Sequence, residues 1–483
     1  MKIKRIGNSG AAALVLLGLT AAGAARAQVP PPGAGRDAAN VLPMRERVLL
    51  MEKFWAWKKA HVLPALMRER GVDMWIVRND EEPLYRQVSY KEHPVYLSLL
   101  PATDEGMVIP SRFAAGSMDV PATLMFYDTG KDIEYLEPRD FEEVGRLVRE
   151  RDPKRIAISF KNLYVRRKTF GDTEQITIVT SDDMQRALGP KYAARTIDSW
   201  HLGILWLSTI GPEQRSVYRH VQGVQNDVIA EAFSNRAVIP DATTIEDLNW
   251  WIRARYRALG LDIDNHPSVV VLRRPSKIAE YPESAEYFRN GEAGTGDDVV
   301  IRRGDIIGLD SDIMLLGLET DSQQFAYVLQ EDEADVPESL KHALRAMNEM
   351  LDAYLAAYVE GRTAREIIEA ADRIAPKDPI ILRARFGFHP PPMYIRRFSR
   401  NGLQFSRGTY VAGIGPGYKQ HPLLSPSLTL HPDTLYAHEP SFTFAVPEWG
   451  KDGLTFAVEQ LVVFSENRCR YLDRANVEWH VVK

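Results

Sequence analysis

Asp310 and Asp321, eleven residues apart, are the side chains in this sequence best spaced to do chemistry together. Asp310 ends the stretch Gly304-Asp305-Ile306-Ile307-Gly308-Leu309-Asp310, Gly317 offers a turn, and residues 325–329 resume strand-like alternation. In a hairpin of this length the two aspartates sit on facing strands and point the same way. Two carboxylates held close repel unless a proton or a cation lies between them. Taken alone, the pair reads as readily as ordinary turn and surface acids. Two glutamates add weight. Glu439, in His438-Glu439-Pro440, follows a strand pattern over 434–436, and Glu459 interrupts the apolar run 456–463. A carboxylate inside such a run is costly to bury unless it is paired or binds metal. Four carboxylates on neighbouring strands suit Mn²⁺ or Mg²⁺, or Zn²⁺ with histidine help. Two such ions side by side activate a water and stabilise the developing oxyanion of amide hydrolysis.

Carboxylates need strands to carry them and helices to back the strands. A unit beginning near Ile210-Gly211-Pro212-Glu213 has helical spacing over 217–232. Thr243-Thr244-Ile245-Glu246 then reads as a capped helix start, with that helix running to Ala258-Leu259-Gly260. Strand patterns follow at 268–272 and 306–309. A helix pair over 340–358 and 364–375 is separated by Glu360-Gly361-Arg362-Thr363, and the last hundred residues read as strands and loops. Upstream, residues 44–70 read as one helix closed by Gly71 and 74–77 as a buried strand. Strands at 123–127, 133–136 and 155–159 alternate with a helix over 141–151, which gives an α/β domain without a catalytic constellation. Trp250-Trp251, on a helical stretch, reads as core or a domain contact.

Composition narrows the classes. With 45% hydrophobic and 26% charged residues in 483, the chain is globular and long enough for two or more domains. Sixty basic against 65 acidic residues leave a net charge of -5, without the basic excess that nucleic-acid binding requires. A single cysteine, Cys469, excludes an intrachain disulfide and cysteine-based zinc or iron–sulfur sites. Gly-x-Ser-x-Gly, His-Glu-x-x-His and Walker motifs do not occur. Lys2, Lys4 and Arg5, the apolar run 11–25 and Ala25-Arg26-Ala27 have the form of a secretory signal peptide over 1–27. A Pro/Gly leader over 28–42 follows, so the expectation is a periplasmic or secreted protein that leaves the membrane after cleavage.

The order Asp310, Asp321, Glu439-Pro440, Glu459, with the spacing of the aspartates, resembles the pita-bread metallopeptidases: aminopeptidase P, prolidase, methionine aminopeptidase and creatinase. Ile210-Gly211-Pro212-Glu213, Ile239-Pro240 with Thr243-Thr244, and Val359-Glu360-Gly361-Arg362-Thr363 match as well. The resemblance covers about residues 205–472 and implies an α+β pita-bread catalytic domain over 205–483. More weakly, it implies a creatinase-like α/β domain over 43–204. It implies Asp310 on one metal ion, Asp321 and Glu459 bridging, and Glu439 on a second metal and shuttling a proton. The cofactor would be a divalent metal, Mn or Zn, as one or two ions.

The resemblance also marks departures. The family's metal-binding histidine falls in Val411-Ala412-Gly413-Ile414-Gly415-Pro416-Gly417, at Ala412, which implies reduced metal occupancy. His421 matches the family's second, substrate-facing histidine, and His389 or His421 is placed to supply the missing ligand. His266, in Asn265-His266-Pro267-Ser268, matches an upstream active-site histidine and equally a structural histidine ahead of a strand. His342 reads as a surface residue, His431 as a turn residue, and His438 as pointing away from Glu439. Where the family carries an arginine soon after the second aspartate, this chain has Ser322-Gln323-Gln324, which lacks its charge and donor fork. The implied function is a secreted metallopeptidase of Xaa-Pro aminopeptidase or dipeptidase type, acting on a peptide or small amide, with a homodimer compatible. Two alternatives stay open: a catalytically impaired homologue that binds a ligand, and a metal-independent creatinase-like amidinohydrolase.

Overall fold

The computed structural model describes residues 44–78, 123–159, 182–199, 202, 205–206, 209–261, 267–281, 288, 293–294, 296, 298–316, 318–385, 388–389, 395–399, 402–405, 429–474, 476 and 478–483. The expected signal peptide and leader lie outside them. Among the described residues no helix is long and apolar enough to cross a membrane.

The first unit is a five-stranded mixed sheet in the order Ile133–Leu136, Thr123–Asp128, Met74–Arg78, Ile156–Ser159, Thr196–Asp198. Met74–Arg78 is central and pairs antiparallel with Thr123–Asp128 and parallel with Ile156–Ser159. Met74 to Val77 are apolar without a break because both faces of the strand are covered there. Met74 and Ile76 pack against helix Phe141–Arg151, while Trp75 and Val77 pack against Leu63, Leu66 and Trp206. Asp140 caps that helix by accepting from the Glu143 amide at 2.8 Å. The helix expected over 44–70 is two helices, Met44–His61 and Leu63–Glu69, broken at Val62. Pro64 is the physical reason, since it has no N–H to donate to the preceding turn.

The second unit carries the acids on two antiparallel-rich sheets. One has the order His480–Val482, Ser322–Val328, Ile306–Ser311, Ser268–Leu272, Ala293–Gly294; the other Phe388–His389, Thr434–His438, Gln460–Ser465, Arg468–Tyr471. A three-stranded sheet, Ile381–Arg385 with Ser441–Phe444 and Leu454–Ala457, flanks them. Thr244 with Asp247 starts helix Ile245–Ala258 through a capping box, and Thr363 with Glu366 does the same for Ala364–Ile374.

Two apolar clusters interlock the halves. Helices Pro212–Ala232 and Ile245–Ala258 pack on Val269, Val271, Ile307 and Leu309 of the first sheet, and the same cluster takes in Leu435, Ala437, Leu461 and Val463 of the second. Helices Glu338–Ala356 and Ala364–Ile374 pack on Tyr436, Val462 and Phe464 of the second sheet, together with Leu272, Ile306 and Tyr327 of the first. Side chains alternate along a strand, so each sheet turns its outer face to its own helix pair and its inner face to the other half.

Candidate metal centre

The acids come off the two inner faces. In the hairpin Ile306–Ser311 with Ser322–Val328, Asp310 pairs with Gln323 and Ser311 with Ser322. That register puts Asp310, Gln323 and Asp321 on one face, with Asp321 diagonal to Asp310. Gly308 keeps the strands close, since a Cβ there would lie 2.8 Å from the Phe325 ring and 2.9 Å from Val270. Glu459 sits in the break between strands Leu454–Ala457 and Gln460–Ser465, where it forms an isolated antiparallel bridge with Gln323. Asp310, Gln323 and Glu459 therefore form one cross-strand row that joins the two sheets.

One carboxylate oxygen from each of Asp310, Asp321 and Glu459 lies within 4.8 Å of the others. Asp321 is buried, while Asp310 and Glu459 are partly so. Burial is the largest cause raising the Asp310 carboxyl to about 7, followed by the charges of Asp321 and Glu439. Burial also raises Glu459 well above the carboxylate range, with the charge of Asp321, a hydrogen bond with Asp321, and the charges of Asp310 and Glu439 following. A hydrogen bond between two carboxyls requires a proton between them. Glu439, partly buried just after strand Thr434–His438, is outside that 4.8 Å group but near enough for its charge to act on Asp310 and Glu459.

The other predicted residues divide. His266, His421, Ala412 and the segment around Ala412 lie outside the described residues, as does the side chain of His389, whose backbone pairs with Ala437. His438 points away from Glu439, as alternation requires. It is buried beside Tyr354 and accepts from or donates to the Tyr358 hydroxyl at 3.2 Å, and burial lowers it to about 3, so it is neutral. His342 is on the surface, 2.9 Å from Asp378, and His431 sits ahead of a turn, 3.3 Å from Glu69 of the first unit.

Gln324 does not stand where an arginine could meet the acids. It faces outward and is buried, donating to Asn226 at 2.9 Å and bonded to His480 at 3.0 Å. Asn226 in turn donates to Asp473 at 3.0 Å, so an uncharged side chain fits a network that already carries its acid. Asp305 is structural too. It is fully buried, with its oxygens 2.8 Å from Arg273 Nε and 2.8 Å from Nη2 and with the Arg302 amide at 2.7 Å. Sequence reasoning left Arg273 unremarked and noted Gln323 only as part of the stretch without an arginine, because neither belongs to a short motif.

Solved structures resemble the chain at low identity. They include an X-Pro aminopeptidase from Thermotoga maritima MSB8 (13% identity, TM-score 0.48, covering 86% of this chain and 99% of that one). An Xaa-Pro dipeptidase from Bacillus anthracis gives 12%, 0.46, 91% and 100%, and a prolidase from Pyrococcus horikoshii OT3 gives 10%, 0.45, 90% and 100%. No curated protein sequence matches the chain. The family profile described as Metallopeptidase family M24 matches residues 216–466, just over half of the chain, and spans all four acids. On that match, the chain belongs to metallopeptidase family M24, with a pita-bread domain behind an N-terminal α/β domain.

Proposed function

We propose that the chain is a divalent-metal-dependent peptidase that cleaves a peptide at an Xaa-Pro bond, in the periplasm or outside the cell. The observation that carries this reading is the convergence of Asp310, Asp321 and Glu459 within 4.8 Å. The donor set fits a cation: all oxygen, several charges, and a shared proton that a metal would displace. A bound Mn²⁺ or Zn²⁺, as one or two ions, supplies a polarised water and an electrophile for the scissile carbonyl. The chain's own residues supply the rest. The cross-strand row fixes the carboxylates on rigid strands. Glu439, beside the three and still half-exposed, is placed to take a proton from the attacking water and pass it to the leaving amine. His266 and His421 are proposed to face the substrate.

The test is metal counting with an activity assay. The chain is equilibrated with Mn²⁺ or Zn²⁺, freed of excess ion and analysed by native mass spectrometry, then offered Xaa-Pro peptides with and without a chelator. Bound metal with chelator-sensitive cleavage supports the proposal. Absence of bound metal sinks it, and cleavage that resists chelators would favour metal-independent chemistry.

A further inference from the structure

Gln323 occupies the centre of the row. Its backbone is paired on one side with Asp310 and on the other with Glu459, so its side chain leaves the sheet on the face that carries both carboxylates. Its amide oxygen Oε1 is shielded from solvent and, among the described residues, accepts no hydrogen bond. A buried carbonyl oxygen left without a donor is costly and calls for an explanation. The amide oxygens of Gln324 and Gln225 do find partners, in His480 and in the Gln222 amide, whereas Gln222 Oε1, away from the acids, is left without one like that of Gln323.

Resting on the metal-site reading above, we infer that Gln323 is a further ligand of the metal, giving a neutral amide oxygen between Asp310 and Glu459. The chemistry favours this. The site already gathers three carboxylates, and a fourth donor that adds no negative charge raises the coordination number without adding repulsion. Amide carbonyls are ordinary ligands of hard cations and poor ones for zinc, whose sites are built from nitrogen, sulfur and carboxylate oxygen. The site is therefore biased toward Mn²⁺ or Mg²⁺.

Calorimetric titration of the metal-free chain with Mn²⁺ and with Zn²⁺ tests this without reference to turnover. Gln323→Leu keeps the bulk and removes the oxygen, while Gln323→Glu restores an oxygen at the same reach. The expected result is a loss of Mn²⁺ affinity of about 10-fold or more in Gln323→Leu, with less effect on Zn²⁺, and recovery in Gln323→Glu. Thermal melting without metal checks that each variant is folded. Should Gln323→Leu not fold, Gln323→Asn, which draws the oxygen back by one methylene, is expected to show the same selective weakening. Unchanged Mn²⁺ affinity in a folded Gln323→Leu or Gln323→Asn overturns this inference alone. A wild-type chain that binds neither ion overturns the metal-site reading and this inference with it.

Discussion

Gln323 and Glu459 exchange two backbone hydrogen bonds, Gln323 N–H to the Glu459 carbonyl at 3.0 Å and Glu459 N–H to the Gln323 carbonyl at 3.2 Å. The bridge fastens an acid from the second sheet to the strand that follows Asp321 in the first. The spacing of the carboxylates is thereby set by backbone pairing rather than by flexible loops, as a binding site on rigid elements requires.

Crowding these acids costs stability when no cation is present. The folded Asp310 carboxyl sits at about 7 against an ordinary 3.8, so between those values the folded chain holds a proton that the unfolded chain has released. This contribution is full below the lower value and is lost as pH rises through the upper one. Metal-free protein is therefore expected to lose stability across that window, at about 1.4 kcal/mol per pH unit at the steepest. Urea unfolding at a series of pH values checks this, and Asp310→Asn should flatten the slope.

Glu459→Gln is expected to separate stability from function. The amide donates to Asp321 without needing a shared proton, so the metal-free variant should melt a few degrees higher, in line with about 1 kcal/mol. It should also lose most of its bound metal and its peptidase activity. Calorimetry and metal counting on the same preparation read both; a lower melting point would contradict the crowding described here.

Breaking the Arg273–Asp305 pair should be among the most damaging single changes. Both side chains are buried to within 1% exposure, and Arg273→Ala would leave the Asp305 carboxyl buried without its cation, with the Arg302 amide still donating to it. The expected loss is about 3–5 kcal/mol. Replacing both, as Arg273→Met with Asp305→Leu, should recover much of it. Chemical denaturation of the single and double variants measures the difference.

Lys58 gives the N-terminal unit a pH dependence of the opposite sign. Its ammonium is buried and donates to the Trp206 carbonyl at 2.7 Å, and burial lowers it from 10.5 to about 7. Between those values the unfolded chain binds the extra proton, so stability rises with pH, and the contribution is lost as pH falls through about 7. Lys58→Met should remove this dependence and stabilise the chain at neutral pH. Melting curves of the two proteins across the window decide it.

Much of this was legible in the sequence. A capped start at Thr243-Thr244, helical spacings, a run of strand patterns and the order of four acids indicated the helix pairs and the hairpin. Alternation alone placed His438 on the far side of its strand. What escaped had physical reasons. Pro64 splits a helix whose apolar spacing continues through it. Arg273 and Asp305 meet across 32 residues, which no local pattern reveals. Gln323 and Gln324 stood out only as the absence of an arginine, whereas the pleat sends them to opposite faces, one to the acids and one into a buried network. Ala412, His266 and His421 lie outside the described residues, so the histidine side of the site rests on the sequence.

The strand that follows Asp321 has its outer neighbour in His480–Val482, paired in parallel, and Lys483 closes the arrangement through Asn235. During synthesis, the sheet holding the aspartates gains this neighbour only after residues 480–482 have left the ribosome. Until then its edge is bare, and a chain cut short before His480 would leave the strand that carries Gln323 without its outer partner.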